Sequence, residues 1–304
     1  MIDAVFLLEG PAHNEEQACK GNNGSSCVHS MAKEQVERIA ELLAASQAAT
    51  HCTISTVEVI QHERADGIKE ELTAVAQINE TLVSHNLPRV CSADRTRLGE
   101  LIVGVRQQEQ QLEFHRGLLQ AQRKEGSSPN SKYSPENFAY GSTPFPTWLH
   151  LFTQDAMRDA IIASPQQTQL TVFGSSTGSL VFFAALALGI SCLGVELLPF
   201  LHDIAEQTRK ELRIPAERCR FECADMLTTP LGATKILLLT SQCWDPELYD
   251  QLQCKLEREL LPGTLVIDYK NTLQRSPSFR VVEHVEQQRV SWTGAQSLFI
   301  LERL

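Results

Sequence analysis

The stretch Thr171-Val-Phe-Gly-Ser-Ser-Thr-Gly-Ser-Leu180, followed by an apolar run and then by Leu193-Gly-Val-Glu196, decides how this chain is read. An apolar strand ends at Gly174, small residues carry a turn to Gly178, and residues 180–188, rich in Val, Phe, Ala and Leu, continue as a helix. Glu196 closes the next strand. This succession is the layout of a nucleotide-type cofactor site at the carboxyl edge of a parallel sheet. Gly and Ser let backbone approach a ligand closely. The first helical turn offers N–H groups without intrahelical partners, and an acid one strand over can accept from ribose hydroxyls.

Outward from this stretch, strands and helices alternate. Apolar runs at 170–173, 192–196, 220–223, 236–240 and 265–268 read as strands, and 180–188, 199–212 and 246–260 as helices. Pro199 and Pro246 stand where a first helical residue belongs, Asp245 can cap the second of these helices, and Pro215 and Pro262-Gly263 stop them. Leu248, Leu252, Leu256 and Leu260 recur at helical spacing as one stripe for burial. Such alternation predicts a right-handed parallel sheet covered on both faces. After Asp268 two extended runs, 279–285 and 298–301, follow without a helix between them, which predicts an antiparallel hairpin at the sheet edge. The fold class expected is α/β: a doubly wound, mostly parallel Rossmann-like sheet with a terminal antiparallel hairpin.

The amino-terminal part has a different texture. Residues 1–30 read as a flexible leader, with Gly21, Asn22, Asn23, Gly24, Ser25 and Ser26 clustered. Residues 31–124 read as a helical accessory domain, on apolar periodicity at Val36, Ile39 and Leu42, at Leu72, Val75, Ile78 and Leu82, and at Leu98, Leu101, Ile102 and Val105. Residues 125–137, rich in Ser, Pro and Gly, read as a linker, and 138–304 as the cofactor-binding domain, opened by a helix at 148–162.

Bulk properties exclude several function classes. A net charge of −10 argues against holding nucleic acid by phosphate neutralisation, whose footprint is basic. The nine cysteines include no C-x-x-C, and no metal-ligand spacing occurs, so neither a zinc cluster nor a disulfide framework is expected. Reduced thiols suit an intracellular protein, with cytoplasm or nucleus as the default expectation. The longest apolar run, 180–190, is too short to span a bilayer, so no membrane partner is expected.

A Gly-bearing first turn admits NAD, FAD or S-adenosylmethionine, and three features select among them. From Gly174 the spacing is G-x-x-x-G, with Ser176 where a diphosphate would need glycine; Ala224-Asp225-Met226 after the third strand offers a carboxylate and an apolar rest for adenine; and the sheet ends in a hairpin. Together these describe a class I methyltransferase. Gly174, Ser175, Ser176, Thr177 and Gly178 are then expected around the methionine portion, Glu196 on the ribose, and Asp225 with Met226 at the adenine. Thr240, Ser241, Gln242 and Trp244, after the fourth strand, are expected beside the sulfonium, with Asp268 and Tyr269 as further candidates. Methyl transfer is an in-line displacement, so the protein mainly aligns, shields and stabilises charge. Ser241 and Gln242 can hydrogen-bond an acceptor, and Trp244 can wall its channel.

The resemblance extends beyond fold class. Arg280-Val-Val-Glu283, Val290-Ser-Trp-Thr-Gly294 and Ser297-Leu-Phe299 resemble the terminal hairpin of the disruptor-of-telomeric-silencing, non-SET histone H3 lysine methyltransferases. Asp245-Pro-Glu-Leu-Tyr-Asp-Gln-Leu252, Gly194-Val-Glu196 and Tyr140-Gly141 are similar to that family's helix after the fourth strand, its ribose-binding segment and its cofactor lid. The resemblance covers residues 140–304 and implies a lid at 140–145 and a protein substrate, a histone-like lysine. Departures are specific. Val172 stands for the family's loop Asp, Ser176 for a loop Gly, Ser241 for the Asn near the transferred methyl, and Phe299 for the channel Tyr. A small-molecule acceptor, or a catalytically silent cofactor-binding protein, are the alternative functions.

Overall fold

The computed structural model describes Arg38 and residues 54–126, 132–163 and 169–304. The expected leader, 1–30, lies outside the described residues.

Five parallel strands, β1 (Gln169–Phe173), β2 (Ser191–Glu196), β3 (Cys219–Cys223), β4 (Ile236–Leu239) and β5 (Leu265–Asp268), are joined by a hairpin of β6 (Phe279–Val290) and β7 (Thr293–Arg303). The seven-stranded order is β3-β2-β1-β4-β5-β7-β6, with β7 antiparallel to both neighbours. This is the expected doubly wound, Rossmann-like sheet with an antiparallel hairpin at its edge. The strand order reverses between β1 and β4, and connections leaving that point on opposite faces open a crevice beyond the carboxyl ends of the strands.

The apolar strands bury both faces. Leu170, Val172, Ile236, Leu238 and Ile267 enter one core, while Phe173, Leu193, Val195, Leu237, Leu239 and Val266 enter the other, as a period of two requires. The second core is closed by α8 (Pro246–Glu259), whose Leu248, Leu252 and Leu256 are buried; Asp245 caps it, accepting from the Leu248 N–H at 2.8 Å. Across the sheet lies α6 (Ser179–Leu188), buried from Leu180 to Leu188 on every side. Its all-apolar composition follows from that, since it is sandwiched between the strands and further helices.

Those helices come from the amino-terminal part of the chain. α1 (Ile54–Ser84), α2 (Ser92–Gln108) and α3 (Leu112–Gly126) form, but Ile78, Leu82, Leu98, Leu101 and Ile102 share one continuous core with Val181, Phe182 and Leu186 of α6. They pack as a layer on α6. Of the expected linker, 127–131 lie outside the described residues; α3 runs to Gly126, and Ser134 and Asn137 both donate to Asp245 Oδ2, at 2.9 and 2.7 Å. The helix expected at 148–162 is two, α4 (Phe145–Phe152) and α5 (Asp155–Ala163), broken where the Thr153 hydroxyl donates back to the His150 carbonyl at 2.9 Å. α7 (Pro199–Glu211) completes the layer beside β2 and β3.

Candidate functional site

The crevice holds a cavity of about 1170 Å³, counted with its open mouth, and its walls come from the turn after each parallel strand. Gly174, Ser175, Ser176 and Thr177 follow β1; Glu196, Leu197 and Leu198 end β2; Ala224, Asp225 and Met226 follow β3; Thr240, Gln242, Cys243 and Trp244 follow β4; and Tyr269 follows β5. Residues 137–143 and Trp292 line it from outside the sheet.

The loop after β1 is built to admit something close to its backbone. Gly174 has φ +71°, and a Cβ there would meet the Thr240 hydroxyl oxygen at 2.3 Å. Ser176 also sits in the left-handed region, at φ 53°. This conformation turns its N–H onto Glu196 Oε2 at 2.8 Å, while Leu198 N–H donates to Oε1 at 2.9 Å. Each carboxylate oxygen keeps further acceptor capacity, and the carboxylate lines the cavity. Burial pushes the Glu196 carboxyl above the usual range, against the lowering effect of these backbone donors.

At the β3 side, Asp225 Oδ1 accepts from the Leu227 N–H at 2.7 Å. The Tyr133 phenol faces the same carboxylate, and burial together with that neighbour raises its pKa. At the β5 side, Tyr269 and Thr143 share a 2.5 Å hydroxyl contact, and the Tyr269 and Trp292 rings lie 5.8 Å apart. Burial pushes the Tyr269 phenol up to about 12.

The segment 140–143 is gripped from two sides. The Ser142 N–H donates to Ser291 Oγ, and Ser291 N–H to the Ser142 carbonyl, both at 2.9 Å. From the helical layer, Arg106 donates to Glu71 at 2.7 Å, Glu109 at 2.7 Å and Ser142 Oγ at 3.1 Å; Tyr140 donates to Glu109 at 2.7 Å, and Phe145 N–H to Glu71 at 2.9 Å. Burial alone would raise the Glu109 carboxyl, but Arg106, Arg38 and the Tyr140 phenol hold it below the ordinary range.

Eleven expected site residues line the cavity: Tyr140, Gly174, Ser175, Ser176, Thr177, Glu196, Asp225, Met226, Thr240, Gln242 and Trp244. Two do not. Ser241 is fully buried and its hydroxyl donates to Asp268, because the 3₁₀ turn Ser241–Cys243 sends consecutive side chains in diverging directions and presents Gln242 instead. Gly178 serves packing: at φ +86°, it leaves room for the Phe221 ring, which a Cβ would meet at 2.6 Å. Asp268 lies beneath the wall, accepting from the hydroxyls of Ser241 and Tyr249. Phe299 stacks on His284, with centroids 4.5 Å apart, outside the cavity lining. Sequence reasoning missed Trp292 as a lining residue, although it falls inside the Val290–Gly294 match, and Tyr133, which lies in the presumed linker.

The fold is a doubly wound, mostly parallel Rossmann-like sheet with a terminal antiparallel hairpin, and the cavity lies at the carboxyl ends of its parallel strands. No protein-family model and no curated protein sequence matches this chain. Among solved structures it is similar to an RNA methyltransferase from Salinibacter ruber in complex with S-adenosyl-L-homocysteine, at 20% identity and a TM-score of 0.41, over 53% of this chain and 92% of that one. It is also similar to magnesium protoporphyrin IX methyltransferase from Synechocystis PCC 6803 with bound cofactor, at 12% identity and a TM-score of 0.39, over 53% of this chain and 91% of that one.

Proposed function

We propose that this chain is an S-adenosylmethionine-dependent methyltransferase. The observation that carries this reading is Glu196: a buried carboxylate at the end of β2, aimed by two backbone N–H groups and open to the cavity, which suits a vicinal diol. Two further observations test the fit. Ser175 and Ser176 line the cavity while their hydroxyl oxygens are buried without hydrogen-bond partners, and a rotation of either hydroxyl toward the cavity would let a polar ligand satisfy it. Gly174, which lines the cavity at φ +71°, lets the loop pass the Thr240 hydroxyl, where a Cβ would collide.

When bound, S-adenosylmethionine supplies an electrophilic methyl group on a sulfonium. Ser175, Ser176 and Thr177 would hold its amino-acid portion, Glu196 its ribose, and Asp225 with Met226 its adenine. Gln242, Trp244 and Tyr269 then face an incoming acceptor, while the segment 140–143 shields it from water.

The terminal-hairpin resemblance points to a protein acceptor, a histone-like lysine side chain. A small-molecule acceptor is the second reading, favoured by a lid tied down on both sides, at Ser291 and at Arg106, over the cavity. Titration calorimetry with S-adenosylhomocysteine tests the first claim. Binding is expected in the wild type, and Glu196→Ala is expected to weaken it about 10- to 100-fold, as loss of charge-assisted bonds of roughly 1.5–3 kcal/mol implies. Unchanged binding in the variant refutes the ribose assignment. Labelled cofactor with histones, nucleosomes and a metabolite extract separates the acceptor classes, and label in none of them favours a silent binding protein.

A further inference from the structure

The half of the cavity beyond β4 and β5 has a distinct chemistry. Leu239 and Asp268 are paired in register, so the residues that follow them, Gln242 and Trp244 on one side and Tyr269 on the other, emerge side by side at the sheet edge. Trp292 stands beside Tyr269. Three aromatic rings therefore line this end. The cavity's two carboxylates, Glu196 and Asp225, end β2 and follow β3 on the other side of the reversal, and no Lys, Arg or His is among the described lining residues. Asp268, the acid that precedes Tyr269, is fully buried with its oxygens taken by hydroxyls of Ser241 and Tyr249. Gln242 is only 9% exposed, and its Oε1 is buried with no hydrogen-bond partner. Gln242 lines the cavity, and a rotation of its amide outward would offer that oxygen to the N–H or O–H donor of a ligand.

Taking methyl transfer as the reaction, we infer that the acceptor is a neutral heteroaromatic ring, carrying an N–H substituent that donates to Gln242 Oε1 and a ring nitrogen whose lone pair attacks the methyl group. The aromatic wall offers stacking faces for such a ring. An ammonium acceptor, a lysine side chain included, would arrive protonated and would need a carboxylate or a base, which the described lining of this end does not present, so the inference rests on the small-molecule reading and stands against the lysine one. An sp² ring nitrogen needs neither. Its lone pair forms the new N–C bond, the C–S bond breaks, its electron pair returns to sulfur, and the positive charge passes from the sulfonium to the methylated ring.

The inference rests on the methyl-transfer reading, so S-adenosylhomocysteine binding is measured first; its absence defeats that reading and this one together. With S-adenosylhomocysteine saturating, nicotinamide, adenine and n-butylammonium are titrated separately while tryptophan fluorescence is followed. At least one ring compound is expected to bind at least tenfold tighter than n-butylammonium and to quench the fluorescence. Gln242→Ala is expected to lower ring affinity about tenfold, and Gln242→Glu to raise n-butylammonium affinity about tenfold by supplying the missing charge. Nicotinamide binding without adenine binding assigns a carboxamide as the donor, and the reverse assigns a ring amino group. Cofactor-product binding with neither ring compound bound, or n-butylammonium bound as tightly as the rings in the wild type, overturns the inference alone.

Discussion

The Tyr140 phenol donates to Glu109 Oε1 at 2.7 Å, so a residue that lines the cavity is fastened to the end of a helix belonging to the amino-terminal layer. Glu109 is only 1% exposed, and its second oxygen is held by Arg106, which also holds Glu71. Removing the phenol leaves a buried carboxylate oxygen short of a donor. Tyr140→Phe is therefore expected to cost roughly 1.5–3 kcal/mol in denaturant-monitored stability. Arg106→Met removes the shared cation and is expected to cost more, about 3–5 kcal/mol. Equal losses in the two variants would show that Arg106 is not the centre of this network.

Asp268 predicts a pH dependence of stability. Burial, working against the hydroxyls of Ser241 and Tyr249, pushes its carboxyl up to about 6. A carboxyl raised in the folded state binds a proton there before it does in the unfolded chain. Stability contributed by this group is therefore full below the unfolded value near 4 and falls as pH rises through 6, by about 3 kcal/mol in total. Asp268→Asn abolishes that fall. Denaturant midpoints taken from pH 4 to 7 should converge on the acid side and separate, in the variant's favour, on the neutral side; parallel curves would refute the assignment.

The strands and the helices covering them were legible because their signals are local. Pro199, Asp245 and Pro246 mark helix starts through their own backbone chemistry, and the alternating destinations of Leu237 and Leu238 follow from strand geometry. The cavity loop was legible from the Gly and Ser residues clustered at the end of β1, whereas the Thr240 hydroxyl that Gly174 must clear lies 66 residues away and was not. What stayed hidden depends on contacts distant in sequence. The helical layer read as a separate domain because periodicity reveals an apolar face but not its partner, and that partner was α6. Of Ser241 and Gln242, both expected at the acceptor, only Gln242 meets the cavity, because one residue of turn geometry decides which side chain faces it. The Tyr140 to Arg106 network, spanning Glu71 to Ser142, has no signature at any fixed spacing.

Glu196 predicts a pH dependence of binding with the opposite consequence. Burial raises its carboxyl above the ordinary value, and hydroxyl donors in a ligand favour its ionised form. Affinity for S-adenosylhomocysteine is expected to be full well above the folded pKa and to fall as pH drops through it, at a higher pH than an exposed carboxylate would give. Glu196→Gln should bind more weakly and lose this acid limb. Calorimetric titrations at several pH values check both, and an acid limb retained in the variant would assign the titration to another group.

Ser176 separates stability from binding. Its φ of 53° places a side chain in a region that disfavours every residue but glycine, at a cost of roughly 1–2 kcal/mol. Its hydroxyl is buried with no partner, which adds to that cost in the ligand-free protein. Glycine would relieve both while keeping the N–H that Glu196 accepts, and the greater freedom of glycine in the unfolded chain offsets part of the gain. Ser176→Gly is thus expected to raise stability by about 1 kcal/mol. The same change deletes a polar group from the cavity wall, so affinity for S-adenosylhomocysteine should fall several-fold. Thermal unfolding and calorimetry on one preparation decide the matter. A variant that gains stability and also binds tighter would show that the hydroxyl faces no ligand, while one that loses stability would show that serine's own contacts hold the turn.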